Sequence, residues 1–239
     1  MGKEKLAEKF FNFIFPGKCP VCREAMEDDG KMIHDGCRLK LRLIEEPRCM
    51  RCGRQTDAEE AELCFECERK KHHYDYGLPV FEYNDAARGT MIDFKQNGIK
   101  RNGEFFAAEA VKRIGSRLLE RAPQVLIPVP LHISRLRERG FNQALLVADI
   151  IGQALSIPVD DVWLLKTEKT SQQKTLSGRS RGVNTTNVFR CAEPGKYSRV
   201  CLIDDIYTTG NTLEACTIAL KRAGVREVGF VTLCAGGGF

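Results

Sequence analysis

The residues with the most specific chemistry lie near the C-terminus, in Val200-Cys201-Leu202-Ile203-Asp204-Asp205-Ile206-Tyr207-Thr208-Thr209-Gly210-Asn211-Thr212. An apolar run leads into two adjacent acids, then a hydroxyl- and glycine-containing turn, then the start of a helix. In open α/β sheets ligands sit at the carboxyl ends of strands. Backbone N–H groups and Thr hydroxyls at a helix N-terminus favour an anion, and Gly210 permits positive φ or close approach. Two carboxylates directly ahead of such a cradle would repel a bare phosphate. They make sense if the ligand also carries vicinal ribose hydroxyls, or a Mg²⁺, for them to hold. The arrangement predicts a sugar phosphate, with its phosphate on Thr208, Thr209, Gly210, Asn211 and Thr212 and its diol on Asp204 and Asp205.

Soft ligands form a second constellation. Cys19 and Cys22, His34 and Cys37, Cys49 and Cys52, Cys64 and Cys67 are four pairs, each separated by two residues. Such clustering, with no expected signal peptide, indicates metal rather than disulfides. Thiolates with one imidazole, in tetrahedral number, select zinc. Sequential ligation gives one site of Cys19, Cys22, His34 and Cys37 and another of Cys49, Cys52, Cys64 and Cys67. Crossed ligation would join the first pair to the third and the second to the fourth. The equal twelve-position gaps from Cys22 to His34 and from Cys52 to Cys64 favour the sequential scheme and suggest an internal duplication. Either way no coordination position is left open, so both sites are expected to be structural. Inert buried cysteines and an iron–sulfur cluster are the competing readings. Cys191, Cys201, Cys216 and Cys234 fall singly in mostly apolar surroundings and are expected to fill the core.

Basic residues supply a third set. Ile127 to His132 leaves an expected strand for Arg135, Arg137 and Arg139, and Gly140-Phe141-Asn142-Gln143 opens a helix. Three arginines at alternate positions of a loop suit a diphosphate, although an exposed basic loop would look the same. Residues 167–187 are polar and without apolar period. This loop, with Lys174, Arg179 and Arg181, could close over a ligand or could be a plain flexible linker.

These groups must be positioned by alternating strands and helices. Strands are expected at Leu78–Tyr83, Gln124–Val129, Val162–Lys166, Arg199–Ile203 and Val228–Cys234. A helix capped at Asn84-Asp85 should stop at Gly98. Others should cover Glu104–Leu119, with Phe105, Ala108, Val111 and Leu118 near one face, then Phe141–Leu155 and Thr212–Ala223. The alternation implies an α/β fold with a mainly parallel sheet. Before it, residues 3–15 form an apolar stripe of Leu6, Phe10, Phe13 and Ile14, suited to docking on the protein body or to touching a membrane surface. Polar residues Glu68–His73 are expected to be a linker. The expected modules are 1–73, a helix and two metal-binding units, and 74–239, the α/β part.

Composition limits the function classes. The chain has 239 residues, 43% hydrophobic and 29% charged, with a formal net charge of +5. That is ordinary for a globular protein and excludes collagen-like and disordered classes. Residues 1–73 hold equal numbers of acidic and basic side chains, so the excess charge lies beyond them. It is compatible with phosphate ligands but short of a dedicated nucleic-acid-binding composition. No apolar run approaches the ~20 residues of a membrane span. The N-terminal MGKEKLAEKF interleaves Glu4 and Glu8 with lysines, unlike a signal peptide. The expected compartment is the cytoplasm.

The acid pair and Thr-Gly turn resemble the signature of type I phosphoribosyltransferases, which bind 5-phosphoribosyl 1-pyrophosphate (PRPP). With the preceding double zinc ribbon, the Arg-x-Arg-x-Arg-Gly-Phe-Asn-Gln segment, EYNDAARGTMIDFK at 82–95 and QKTLSGRSRGVN at 173–184, the chain resembles the ComF/GntX family along essentially its whole length. His34 departs from the family's usual Cys, an exchange zinc tolerates. The resemblance implies a type I phosphoribosyltransferase fold, PRPP bound with Mg²⁺, Asp204 and Asp205 at the ribose 2′ and 3′ hydroxyls, and Thr208–Thr212 at the 5′-phosphate. It gives Arg135, Arg137 and Arg139 to a pyrophosphate loop. It implies a role in natural transformation, the handling of incoming single-stranded DNA at the inner face of the membrane, with the helicase-like ATPase ComFA and the recombination mediator DprA as partners. Two alternatives stand beside this: an active phosphoribosyltransferase with an unidentified acceptor, and a PRPP sensor without turnover.

Overall fold

The computed structural model describes residues 17–27, 30–56, 61–167 and 188–236. The apolar N-terminal stripe and the basic loop with Lys174, Arg179 and Arg181 lie outside the described residues. Strands β1 (Tyr76–Glu82), β2 (Val125–Pro128), β5 (Arg199–Tyr207) and β6 (Glu227–Ala235) form one parallel sheet in the order β1-β6-β5-β2. Val200 to Ile203 and Val228 to Cys234 are buried throughout, as expected for strands covered on both faces.

Helices α3 (Asp85–Lys95), α4 (Lys100–Glu120), α6 (Gln143–Leu155) and α7 (Asn211–Arg222) supply the layers. Asn84 caps α3, its side chain accepting from Ala87 N at 3.0 Å, and Asn142 caps α6 by accepting from Ala144 N at 3.0 Å. In α4 the buried row is Phe106, Ala110, Ile114 and Leu118, spaced by four, while Ala108 is exposed. The expected face was therefore rotated, because α4 packs against both α6 and the sheet.

Three expectations change. The strand at Leu164–Lys166 (β3) does not join the main sheet. It pairs antiparallel with Phe189–Cys191 (β4), for which the sequence pattern held no signal. Three-residue strands are too short to show a period. Residues 133–139 are a short helix, α5 (Ile133–Arg139), closed by Gly140 at φ 76°, rather than an arginine loop. The segment Glu68–His73 is docked, not free: α2 (Phe65–Arg69) ends within it, and buried His72 stacks on Tyr74 at 4.7 Å.

The two cysteine units repeat at the level of backbone. Lys18 bridges Ala25 and Arg48 bridges Gln55; Arg23 (φ 66°) and Gly53 (φ 71°) turn the chain after Cys22 and Cys52. His34 leads into α1 (Asp35–Arg38) just as Cys64 leads into α2. Between the units, residues 42–44 run antiparallel along the β1 edge, with Ile44 N donating to Val80 O at 2.9 Å and Glu82 N to Arg42 O at 2.9 Å. This covers a strand edge that would otherwise be open. It also sends the units to opposite faces of the sheet. Cys19, Ile33 and Cys37 join the core beneath α3, α4 and α6, whereas Cys49, Cys52 and Cys67 join the core beneath α7.

The first unit is fastened by charge. Arg23 donates to the two carboxylate oxygens of buried Asp93 at 2.7 and 3.2 Å, and Arg38 donates to Glu109 at 2.9 Å. Because Arg23 is 63% exposed, the Arg23–Asp93 pair is discounted for screening. Asp93→Ala is expected to cost about 1–2 kcal/mol in a urea titration. A loss below the error of the fit would remove this pair from the anchors of the unit.

Candidate functional site

Asp204 and Asp205 lie near the carboxyl end of β5, one of the two inner strands of the sheet. The strand runs beyond Ile203, the expected limit, because β6 continues to pair with it through Ala235. Lys95 at the end of α3 holds Asp205, Nζ to Oδ1 at 2.8 Å. Asp204 accepts from the Asp205 amide at 2.9 Å. Burial first, then the Asp205 charge, push the Asp204 carboxyl up to about 7, while Lys95 and Lys166 act in the opposite sense.

After Tyr207 the chain turns through exposed Thr208 and Thr209 into buried Gly210, at φ 70°. A Cβ at Gly210 would run into the Tyr207 ring, so glycine is required by both dihedral and space. Gly210 caps α7 without a side-chain hydrogen bond, leaving the first N–H groups of the helix for another acceptor. Asn211 and Thr212 are exposed beside it. The acids, the two Thr hydroxyls and the uncapped helix start thus form one continuous polar ledge. It can hold an anion at the turn and hydroxyls or a cation at the acids.

Two lysines escape sequence reasoning. Lys95 ends a helix and Lys166 ends a three-residue strand, and neither stands at a recognisable spacing. Lys166 nonetheless lies near enough to Asp204 for their charges to act on each other. Burial lowers its ammonium pKa, with Arg135 adding to the depression and Asp204 opposing it. Arg135 itself is exposed on α5, near enough to Lys166 for its charge to be felt there. On a helix, Arg139 lies one turn from Arg135 on the same side, and it donates to Gln143 at 3.0 Å. Arg137, two positions from each, projects away from that side and is exposed. The helix thus separates three arginines that an extended loop would have aligned. A groove of about 670 Å³ between α4, α5 and α6, lined by Lys100, Leu131, Phe141 and Asp149 among others, includes none of the acids or turn residues.

The sulfur and imidazole ligands come together sequentially. The ligand atoms of Cys19, Cys22, His34 and Cys37 lie within 4.8 Å of one another, and so do those of Cys49, Cys52, Cys64 and Cys67. A zinc tetrahedron with bonds of about 2.3 Å to sulfur and 2.0–2.1 Å to nitrogen has edges of about 3.8 Å (S–S) and 3.5 Å (S–N). The distances Cys52 Sγ to Cys64 Sγ, 3.6 Å, and Cys22 Sγ to His34 Nδ1, 3.3 Å, fit that size. Crossed ligation is excluded by the placement of the two groups on opposite faces of the sheet. Cys201, Cys216 and Cys234 are fully buried in apolar surroundings, as expected, and Cys191 is partly exposed.

A parallel sheet with an acid-then-turn segment at the end of an inner strand is the architecture of phosphoribosyltransferase-fold proteins, here carrying a double zinc ribbon. The chain belongs to the phosphoribosyl transferase domain family, whose model matches residues 98–238, with the double zinc ribbon domain matched at residues 10–68. Its relatives extend along nearly the full length, as the motifs of the ComF/GntX family imply. Competence protein F of Haemophilus influenzae is 29% identical over 225 residues, 92% of this chain and 95% of the relative. Competence protein ComFC of Bacillus subtilis is 28% identical, covering 87% and 85% of the two chains. The DNA utilization protein YhgH of Salmonella typhimurium is 27% identical, covering 92% and 97%. No helix among the described residues is long and apolar enough to cross a membrane.

Proposed function

We propose that this chain binds Mg²⁺–PRPP on the ledge of Asp204, Asp205 and Thr208–Thr212, and that it serves natural transformation by handling single-stranded DNA. The observation that carries the ligand is the sequence of groups along one strand end. Two carboxylates are followed within a few residues by hydroxyls and an uncapped helix start, which matches a ribose diol joined to a 5′-phosphate. Arg135, Lys166 and Lys95 add positive charge where a diphosphate would lie, and Mg²⁺ carried by the ligand would neutralise the remainder. Lys174, Arg179 and Arg181 would close over it from outside the described residues. The cysteine clusters hold one structural zinc each. The DNA role is supported by relatives named for competence and DNA utilization. ComFA, DprA and an inner-membrane setting belong to this reading.

Calorimetric titration of Mg²⁺–PRPP into the zinc-loaded chain tests the ligand. Saturable binding is expected, and a folded chain that takes up no heat at millimolar ligand overturns the assignment. The same titration has a pH signature. Ribose hydroxyls donate to carboxylates, so Asp204 must lose its proton to receive them. Its folded pKa stands above the unfolded value, so ionisation of this group costs folded-state stability as pH rises through about 7. Ligand binding draws on the ionised form, and affinity should rise about tenfold from pH 6 to pH 8. The ligand's own phosphates titrate nearby, so the slope assigned to Asp204 is the part lost in Asp204→Asn.

An active transferase is the second reading, favoured by cationic groups on both sides of the acids. Pyrophosphate departing from the anomeric carbon would meet stabilising charge, and an acceptor would then attack. Release of inorganic pyrophosphate from PRPP in the presence of DNA or cell extract separates turnover from binding alone.

A further inference from the structure

The second cysteine cluster and the phosphate turn are held by the same contacts, and Arg54 stands at their centre. Its side chain is 6% exposed. Nε donates to Cys52 Sγ at 3.5 Å and an Nη donates to Cys64 Sγ at 3.5 Å. The same guanidinium pairs with Glu66, reaches the Gly236 carbonyl at 3.4 Å, and lies over the Tyr207 ring at 5.3 Å. Tyr207 is the residue immediately before the turn. Its ring fills the space next to Gly210, stacks on Phe230 at 5.3 Å, and its hydroxyl bonds that of Tyr74 at 2.8 Å.

The far side of the turn is held from the same unit. Lys70, just past α2, donates to Asn211 Oδ1 at 3.1 Å. His72 and His73 both meet Glu214 in the first turn of α7, the His73 amide donating at 3.1 Å. Residues 207, 211 and 214 are thus gripped by the second cysteine unit and the segment leaving it. The ties of the first unit run to Thr90 and Asp93 on α3 and to Glu109 on α4.

A buried guanidinium needs compensating negative charge and filled hydrogen bonds. Glu66 balances its charge, and the sulfur atoms of Cys52 and Cys64 accept two of its N–H groups, so its position depends on where the cluster holds those sulfurs.

We propose that Arg54 is a positioning residue that couples the second cysteine cluster to the phosphate turn, so that metal retention and the ordered turn stabilise each other. The coupling rests on reading the turn as a phosphoribosyl site only where the ligand enters. By linkage, a ligand that orders the turn must then tighten the cluster's hold on its metal by the same factor.

The test uses the full chain and two readouts. Amide hydrogen exchange over residues 207–214 reports the turn without any ligand. Release of zinc to a metallochromic chelator, with and without Mg²⁺–PRPP, reports the cluster. Arg54→Met should speed exchange at 207–214 on the order of tenfold, from loss of charged hydrogen bonds and a cation–π contact. Arg54→Lys should restore part of the protection. Lys70→Ala, an exposed change that leaves the cluster intact, should speed exchange at 211–214 alone and keeps the test open should Arg54→Met not fold. Mg²⁺–PRPP should slow release of one of the two zinc equivalents in the wild type and not in Arg54→Met. Unchanged exchange at 207–214 in a folded Arg54→Met overturns the coupling, as does unchanged exchange in Lys70→Ala should Arg54→Met not fold. Altered exchange with no PRPP binding by the wild type upholds the coupling and overturns the ligand.

Discussion

Asp204→Asn with Asp205→Asn is expected to lower affinity for Mg²⁺–PRPP by about 100-fold or more, with the fold intact. Each carboxylate would receive charge-assisted hydrogen bonds from a ribose hydroxyl, at about 1.5–3 kcal/mol apiece, and losing both exceeds two powers of ten. The amide replacements keep volume and shape, so packing at the end of β5 should survive. Stability argues the same way. The Asp204 carboxyl is pushed up to about 7, so at pH 8 the folded chain bears the cost of holding it ionised where burial and the Asp205 charge oppose ionisation. Asn removes this cost. Against it stands the loss of Lys95's partner, a pair at 2.8 Å with both side chains partly exposed. The melting temperature at pH 8 should therefore stay level or rise while ligand binding collapses. Retained binding in a folded double variant would falsify the placement of the ribose on these acids. A large drop in melting temperature would instead mark them as structural.

The main elements were legible where the physical signal is local and strong. The apolar run Val200–Ile203 can only be a buried strand, and the acids, Thr-Gly turn and following helix are adjacent in sequence. The cysteine pairs announce themselves by spacing. What escaped is what depends on distant partners. Lys95 and Lys166 matter because tertiary structure carries them to the end of β5, and neither has a periodic or motif signature. The arginines stand on a helix and not a loop, and seven residues from Ile133 to Arg139 hold too few apolar positions to display a helical period. Glu68–His73 is polar enough to pass for a linker, yet His72 is buried because Tyr74 and Glu214 receive its two sides. That the two cysteine units straddle the sheet follows from the strap at 42–44 pairing with β1, which no local pattern encodes.

The straddle gives the two metal clusters unequal consequences. Cys49→Ser should lower zinc from two equivalents to one, and so should Cys19→Ser, since thiolate ligands in a closed tetrahedral site are not replaceable by a hydroxyl at neutral pH. The apparent binding energy of a structural zinc, on the order of 10 kcal/mol, is then withdrawn from whichever core the cluster belongs to. For Cys49 that core contains Cys52, Cys67, Tyr74, Tyr207 and Phe230, the residues that back the turn. For Cys19 it contains Ile33, Cys37, Met91 and Phe94, on the opposite face of the sheet. Both variants should become sensitive to protease, but only Cys49→Ser should also weaken Mg²⁺–PRPP, because only its cluster stands beneath Tyr207. Zinc content unchanged in Cys49→Ser would dismiss the four-cysteine site. Equal loss of PRPP affinity in the two variants would mean that the sheet transmits the damage as a whole, and that the position of each cluster relative to the turn carries no weight.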